Sequence, residues 1–385
     1  MIIKRVFFFI FIFIFCILLI NQLLLFKSKT NSNELRGIDR LYYKNNTRAY
    51  FIIKNNNFNF SELKNKMNYI LDLKEFQYFK IEIKNGKKQK MDKKFILDNM
   101  ILSSNDVKLL DFLNNDFNKS YIWCFLYDEK DKALHAIINH TTISGILVTK
   151  LMYELNKQQF YKLKSIHFYP ILLEISCILA GLKYYRMEYR NLKLNIKNPK
   201  FIKYKIPLIK NNNFGATVTI NYFFKDLFLN SFNSDIQKIN VANMFAFKNK
   251  SSYKIMNQQS FFVDTFEKND KIENISTKIL SNKNLMIAYA YLPFIFNNFS
   301  IFHNKLNYLY KLDICISSIK LAKGGYTLDM SYNQKSSWPI FVCNSFNGEN
   351  IEGTILIKND DINIKKLIKN IKSYGGDAEL IDIIF

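Results

Sequence analysis

The chain has 385 residues, enough for two domains or two lobes with cores of their own. With 49% hydrophobic residues it is a folding chain and not a disordered one, despite its many Asn and Lys. The formal charge of +23 accompanies an excess of Lys, Asn, Ile, Phe and Tyr along the whole length, and only 11 Gly and 5 Pro. It therefore reads as a compositional bias on solvated faces, with some attraction toward anionic lipid, and not as a nucleic-acid footprint.

The first element is apolar. MIIKR precedes VFFFIFIFIFCILLINQLLLF over residues 6–26, and KSK follows. As a helix this run is about 31 Å long, the thickness of a hydrocarbon core. It lacks a small-residue cleavage pattern and exceeds an ordinary signal-peptide core, so the expectation is an uncleaved transmembrane anchor. Lys27, Lys29, Arg36, Arg40 and Lys44 outweigh Lys4 and Arg5, which puts residues 27–385 on the cytosolic side.

AYFIIK (49–54) alternates like a strand. FSELKNKMNYILDL (60–73) places Leu63, Met67, Ile70 and Leu71 on one helical face, with Ser61 as the expected N-cap. SYIWCFLYD (120–128) and KALHAIINH (132–140) are two strands joined by a polar turn. A helix, ISGILVTKLMYELNKQ, follows at once. The apolar run PILLEISCILAGL (170–182) is too short to span a bilayer and reads as a buried or interfacial helix. Residues 183–213 are basic and irregular, with Pro199 and Pro207, and form the expected crossover between lobes.

A second lobe opens with the helical pattern FGATVTINYFFKDLFLNSF (214–232). INVANMFAFK (239–248) and KLDICISSIK (311–320) read as strands. WPIFVCNSFNGENIEGTILIK (338–358) is a hairpin turning at Asn347-Gly348, and INIKKLIKNIKSYGG (362–376) is a helix ended by glycine. The fold class is mixed α/β in two halves, 48–182 and 214–385.

The chemistry-bearing residues are few. The five cysteines, Cys16, Cys124, Cys177, Cys315 and Cys343, are scattered, with neither a CxxC nor a His/Cys pair at ligand spacing, so no metal site or disulfide framework is expected and a reducing compartment fits. No P-loop, Rossmann glycine pattern or nucleic-acid motif occurs, so no nucleic-acid partner is expected. Of the four histidines, His140 stands out, because it sits where a strand stops and a helix begins. His135, on the alternating strand, reads as a packed or surface side chain. A histidine at such a turn suits general-base work, since imidazole titrates near neutral pH.

The hairpin, the turn carrying His140 and the helix after it resemble the acyltransferase superfamily that includes chloramphenicol acetyltransferase, peptide-synthetase condensation domains and carnitine acyltransferases. Its signature is HHxxxDG. Here NHTTISG stands in that place: His140 and Gly145 match, while Asn139 replaces the first histidine and Ser144 the aspartate. Within that superfamily the chain looks most like the wax ester synthase/diacylglycerol acyltransferase family. FGATVTINYFFKDL resembles its "GATVNDVVLAA" helix, with Asn221 matching and Tyr222 in place of the aspartate. NMFAFK stands where that family has "VPVSLR". ICISSIK stands where it has "VVSNVPG", with Ser317 kept, and the 338–358 hairpin resembles its terminal "SYDGRL" hairpin.

The resemblance implies a two-lobed fold with an interlobe channel, residues 183–213 linking the lobes. It also implies acyl transfer from acyl-CoA, a co-substrate with no other cofactor bound, to a lipid alcohol such as a long-chain alcohol or diacylglycerol. His140 would be the general base, a solvent-reachable turn residue, with Asn139, Ser144 and Gly145 supporting its loop and Asn221, Ser317 and Ser318 along the substrate channel. An anchored, cytosol-facing enzyme of this kind would lie at the endoplasmic reticulum. The missing motif aspartate, which in the family fixes the loop by pairing with an arginine, leaves a second reading: a lipid-binding or scaffolding protein of the same fold without catalysis.

Overall fold

The computed structural model describes residues 35, 43, 48–53, 58–114, 123–141, 143–157, 165–166, 187, 198–208, 214–246, 248–249, 259–281, 312–320, 328–332, 338–346 and 349–381. The apolar run 6–26, the segment 170–182 and the tip Asn347-Gly348 lie outside them. Among the described residues no helix is long and apolar enough to cross a membrane.

The first half runs β1 (Arg48–Ile53), α1 (Phe60–Ile70), a 3₁₀ segment (Lys74–Lys80), β2 (Ile81–Lys84), β3 (Lys87–Lys90), α2 (Lys93–Asn99), β4 (Ile101–Ser103), α3 (Leu109–Asn114), β5 (Trp123–Asp128), β6 (Ala133–Asn139), α4 (Gly145–Leu155) and β7 (Ser165–Ile166). The second runs β8 (Lys200–Pro207), α5 (Ala216–Leu229), β9 (Lys238–Ala246), β10 (Lys248–Asn249), β11 (Gln259–Glu267), α6 (Ile272–Ser281), β12 (Ile314–Lys320), β13 (Leu328–Tyr332), β14 (Ile340–Phe346), β15 (Asn350–Ile357), α7 (Ile364–Ser373) and β16 (Asp377–Ile381). The chain is mixed α/β. The stretch Lys200–Pro207, which lies within the segment read as an irregular crossover, is a full strand of the second sheet. Its burial alternates after Phe201, and two neighbours cover it, β15 and β16.

Two sheets organise the molecule. The five-stranded sheet has the order β13-β1-β6-β5-β4, and the seven-stranded sheet the order β11-β9-β12-β14-β15-β8-β16. The second is antiparallel except around β12, which lies parallel to both β9 and β14. One strand breaks the division of the chain into halves. β13 follows β12 in sequence but pairs antiparallel with β1, Tyr332 opposite Ala49.

Local chemistry explains the boundaries of the elements. Helix α1 starts at Asn59, whose side chain accepts from the Glu62 N–H while the Glu62 carboxylate accepts from the Asn59 N–H. This reciprocal box, and not Ser61, caps the helix, because Glu62 is three residues beyond Asn59 and so reaches back to its N–H. The buried face of α1 is Leu63, Met67 and Ile70. The β5–β6 hairpin is pinned by Trp123, whose indole N–H donates to the Phe79 carbonyl at 2.9 Å while its ring meets Phe79 and Phe125. Helix α7 ends where Gly375 takes φ +76°, a left-handed turn open to glycine.

The cores follow from strand alternation. Phe51, Phe125 and Ile138 of the first sheet form one cluster with α1, α2 and α4. The same cluster continues into one face of the second sheet through Phe201, Ala242, Cys315, Phe341, Cys343 and Leu356. The opposite face of the second sheet makes a separate core with α5, α6 and α7, built on Ile202, Val241, Ile316, Val342, Ile355, Phe224, Ile275 and Leu367. The first cluster therefore joins the two lobes, and the second belongs to one lobe alone.

Candidate active site

β6 delivers the turn. Leu134, Ala136 and Ile138 point into the joining core, and Asn139 ends the strand opposite Arg48 of β1. The Asn139 side-chain oxygen accepts from the Thr141 N–H at 2.9 Å and from the Thr141 hydroxyl, a local Asx turn that bends the chain out of the strand. Three residues on, Ser144 has extended backbone angles and its hydroxyl accepts from the Leu147 N–H at 3.3 Å, so it is the N-cap of α4. Gly145 is the first helical residue and is buried, and its carbonyl accepts from the Thr149 hydroxyl at 2.9 Å.

His140 is folded back over this turn. Its Nδ1 lies 3.1 Å from the Ile143 carbonyl oxygen. A carbonyl only accepts, so the proton sits on Nδ1 and the lone pair of the neutral ring on Nε2. That is the tautomer a base acting through Nε2 requires. The ring is 8% exposed, not a solvent-reachable turn side chain as the sequence suggested. Ile138 and Ile143, before and after it in the chain, are both fully buried, and the Ile143 carbonyl holds it inward. Burial pulls its pKa down to about 4, only partly opposed by the hydrogen bond to Ile143. At neutral pH the ring is uncharged.

The other site residues fall into two groups. Asn221 of α5 donates to the Thr217 carbonyl and to the Asn243 side-chain oxygen, each at 2.8 Å. This bond ties together the two second-lobe stretches singled out in the sequence, the 214–227 helix and the NMFAFK strand. Ser317 and Ser318 are adjacent on β12 and so point to opposite faces. Ser317 shares the face of Cys315, in the joining core, and stands beside the Cys343 thiol. Ser318 shares the face of Ile314 and Ile316, under α5. Arg186 and Arg190, two arginines later in the chain that could meet a motif carboxylate, lie outside the described residues.

Several polar groups here escaped the sequence reading. Asn243 lies on the same face of β9 as Ile239 and Val241, and an asparagine on an apolar stripe was the available signal. Asn344, on the α5 face of β14, is 1% exposed and its amide has no hydrogen-bond partner among the described residues. The Tyr204 hydroxyl is near it but out of bonding geometry, and burial raises that phenol well above its usual range. Between these two strands lies Gly353, where a Cβ would meet the Cys343 carbonyl oxygen at 2.0 Å. Burial also pushes the Cys124 and Cys343 thiols well up, so neither is a thiolate at neutral pH. His135 is a packed residue, its Nδ1 2.5 Å from the Tyr50 hydroxyl and its ring stacked on the tyrosine.

No family model and no curated protein matches the chain. Solved structures do. A double mutant of the starter condensation domain of rhizomide synthetase RzmA, in complex with C8-CoA and Leu-SNAC, aligns with a TM-score of 0.60 at 6% identity, over 90% of this chain and 94% of that one. The epimerization domain from the third module of tyrocidine synthetase B aligns with a TM-score of 0.53 at 10% identity, over 89% and 97% of the two chains. A structure described for condensation domain-mediated chain release from the enacyloxin polyketide synthase gives 0.53 at 9%, over 89% and 83%. This chain therefore has the two-lobed fold of condensation domains, the chloramphenicol acetyltransferase-like architecture. At these identities the likeness concerns the fold.

Proposed function

We propose that this protein is an acyl-CoA-dependent O-acyltransferase with His140 as its general base. The observation that carries the reading is the Nδ1–H···O=C bond to Ile143, which puts the lone pair on Nε2 at the strand-to-helix turn of a condensation-domain fold. In the reaction Nε2 takes the hydroxyl proton of the alcohol as its oxygen bonds to the thioester carbonyl carbon. The tetrahedral adduct collapses, the C–S bond breaks, and the CoA sulfur leaves with the proton returned by the imidazole. The products are an ester and free CoA, and the base contributes about 10²–10⁴ in rate. The acceptor is a lipid alcohol, a long-chain alcohol or diacylglycerol. Residues 6–26 anchor the chain at the endoplasmic reticulum with the catalytic part in the cytosol, where acyl-CoA is dissolved and the acceptor is in the adjacent bilayer. The test is release of CoA thiol and formation of ester by the full chain given C8-CoA with decanol or dioctanoylglycerol. His140→Gln is expected to lower the rate at least a hundredfold. Equal rates for both proteins would exclude His140 as the base.

A second reading is favoured by two observations. The pKa of His140 lies near 4, far from the operating pH of an efficient base, and Ser144 occupies the place of the motif carboxylate. On this reading the chain binds lipid or acyl-CoA without turning it over. Saturable C8-CoA binding without ester formation from either acceptor would establish it over the first.

A further inference from the structure

A cavity of about 180 Å³ opens on the other side of the second sheet from the core that joins the lobes. Its floor is Ile206 and Ile351, paired across β8 and β15. One wall is the α5 stripe Tyr222, Phe223 and Asp226, and Tyr374, just past the end of α7, closes it edge-on to Phe223 at 4.9 Å between ring centroids. Aromatic rings around a carboxylate suggest an organic cation. Here the cation is already supplied from within. Lys225 is 1% exposed, its ammonium 2.8 Å from Asp226 Oδ1 and 4.7 Å from the centre of the Tyr222 ring, and it also donates to the Lys268 and Asp270 carbonyls. A second positive charge beside it would be repelled, and an anion would face Asp226. What remains is an apolar chamber whose carboxylate meets Lys225 and the Tyr222 hydroxyl and still has acceptor positions open, since a carboxylate offers about four.

We propose that this cavity binds a small neutral alcohol, with its apolar body against Ile206, Ile351, Phe223 and Tyr374 and its hydroxyl donating to Asp226. The volume suits a body the size of one six-membered ring, since a cavity of about 150 Å³ holds benzene. The site is independent of His140 and of the reaction proposed above.

The test is a titration of the full chain by ligand-observed NMR with four matched probes: benzyl alcohol, toluene, benzylamine and benzoate. Thr219→Phe, which fills the cavity from the α5 wall and leaves Asp226 and Lys225 unsubstituted, is the control, and its unfolding midpoint is measured alongside. Benzyl alcohol is expected to bind saturably, at least tenfold tighter than toluene, and to lose that binding in a folded Thr219→Phe protein. Tyr374→Leu, which opens the lid, is the second variant should Thr219→Phe not fold, and it is expected to weaken benzyl alcohol at least fivefold. Tighter binding of benzylamine or benzoate would overturn the neutral-ligand assignment. No saturable binding of benzyl alcohol, or equal binding by wild type and both variants, would overturn the site.

Discussion

The buried His140 couples the candidate chemistry to folding. Its pKa falls from the ordinary 6.5 to about 4 in the folded chain, so between those values the unfolded chain holds a proton that the folded chain does not. Folding stability is therefore lost as pH drops from about 6.5 to about 4, and kept above that window. The histidine's share is on the order of 3 kcal/mol by the bottom of the window. Urea unfolding at pH 7, 5.5 and 4 on wild type and His140→Gln checks this. The variant should lose less stability on acidification, and identical pH dependence would show that the ring is not desolvated. The position of His140 was legible in the sequence, because the end of an alternating run and the start of a helical one are local patterns. Its burial was not. Burial depends on how the turn packs against the joining core, and the Ile143 carbonyl is recruited only once Ser144 has set the helix start.

Among the elements, α5 shows what its polar residues are for. Asn221 and Asn243 bond to one another across the helix–sheet seam, each with one further amide atom buried and unpartnered among the described residues. Replacing one of them strands its partner, at about 1–3 kcal/mol, whereas replacing both by leucine removes the orphaned atoms with the bond. Asn221→Leu and Asn243→Leu are each expected to lower stability by about 2 kcal/mol, and the double variant to recover at least half of the summed loss. Additive losses in chemical denaturation would mean that the bond is not the coupling. The element types of α5, β9, β12, β14, β15 and α7 could be read from periodicity, and so could the hairpin of β5 and β6. β8 was hidden by Lys203 and Lys205, which occupy alternate positions of a strand that also passes for a basic linker. β13 was hidden more deeply. LDMSY has no long apolar run, and its partner, β1, lies near the other end of the chain.

For the whole molecule, the joining core and the transferred strand make the two lobes one cooperative unit. Hydrophobic residues of both sheets share a cluster, and the first sheet lacks its edge strand until the second half supplies it. Calorimetry of residues 27–385 is expected to show a single unfolding transition. Residues 27–213 alone should aggregate, with β1 exposed as an open edge. A soluble monomeric 27–213 fragment with native-like circular dichroism would show that the lobes are separable. The cavity beside Tyr374 is a property of this scale too, since its walls come from α5, the β8–β15 floor and the loop after α7. No local pattern announces such a site, although each aromatic side chain is plain to see.

The late strand also sets a clock for synthesis. β1 emerges near residue 48, and its partner only near residue 332. At about 5–20 residues per second, the interval is about 15–60 s. During that time the nascent first sheet presents the Arg48–Ile53 edge, with no chain yet made to cover it. Folding on the ribosome cannot proceed lobe by lobe to completion, so a factor that shields strand edges has its longest opportunity on this half of the protein.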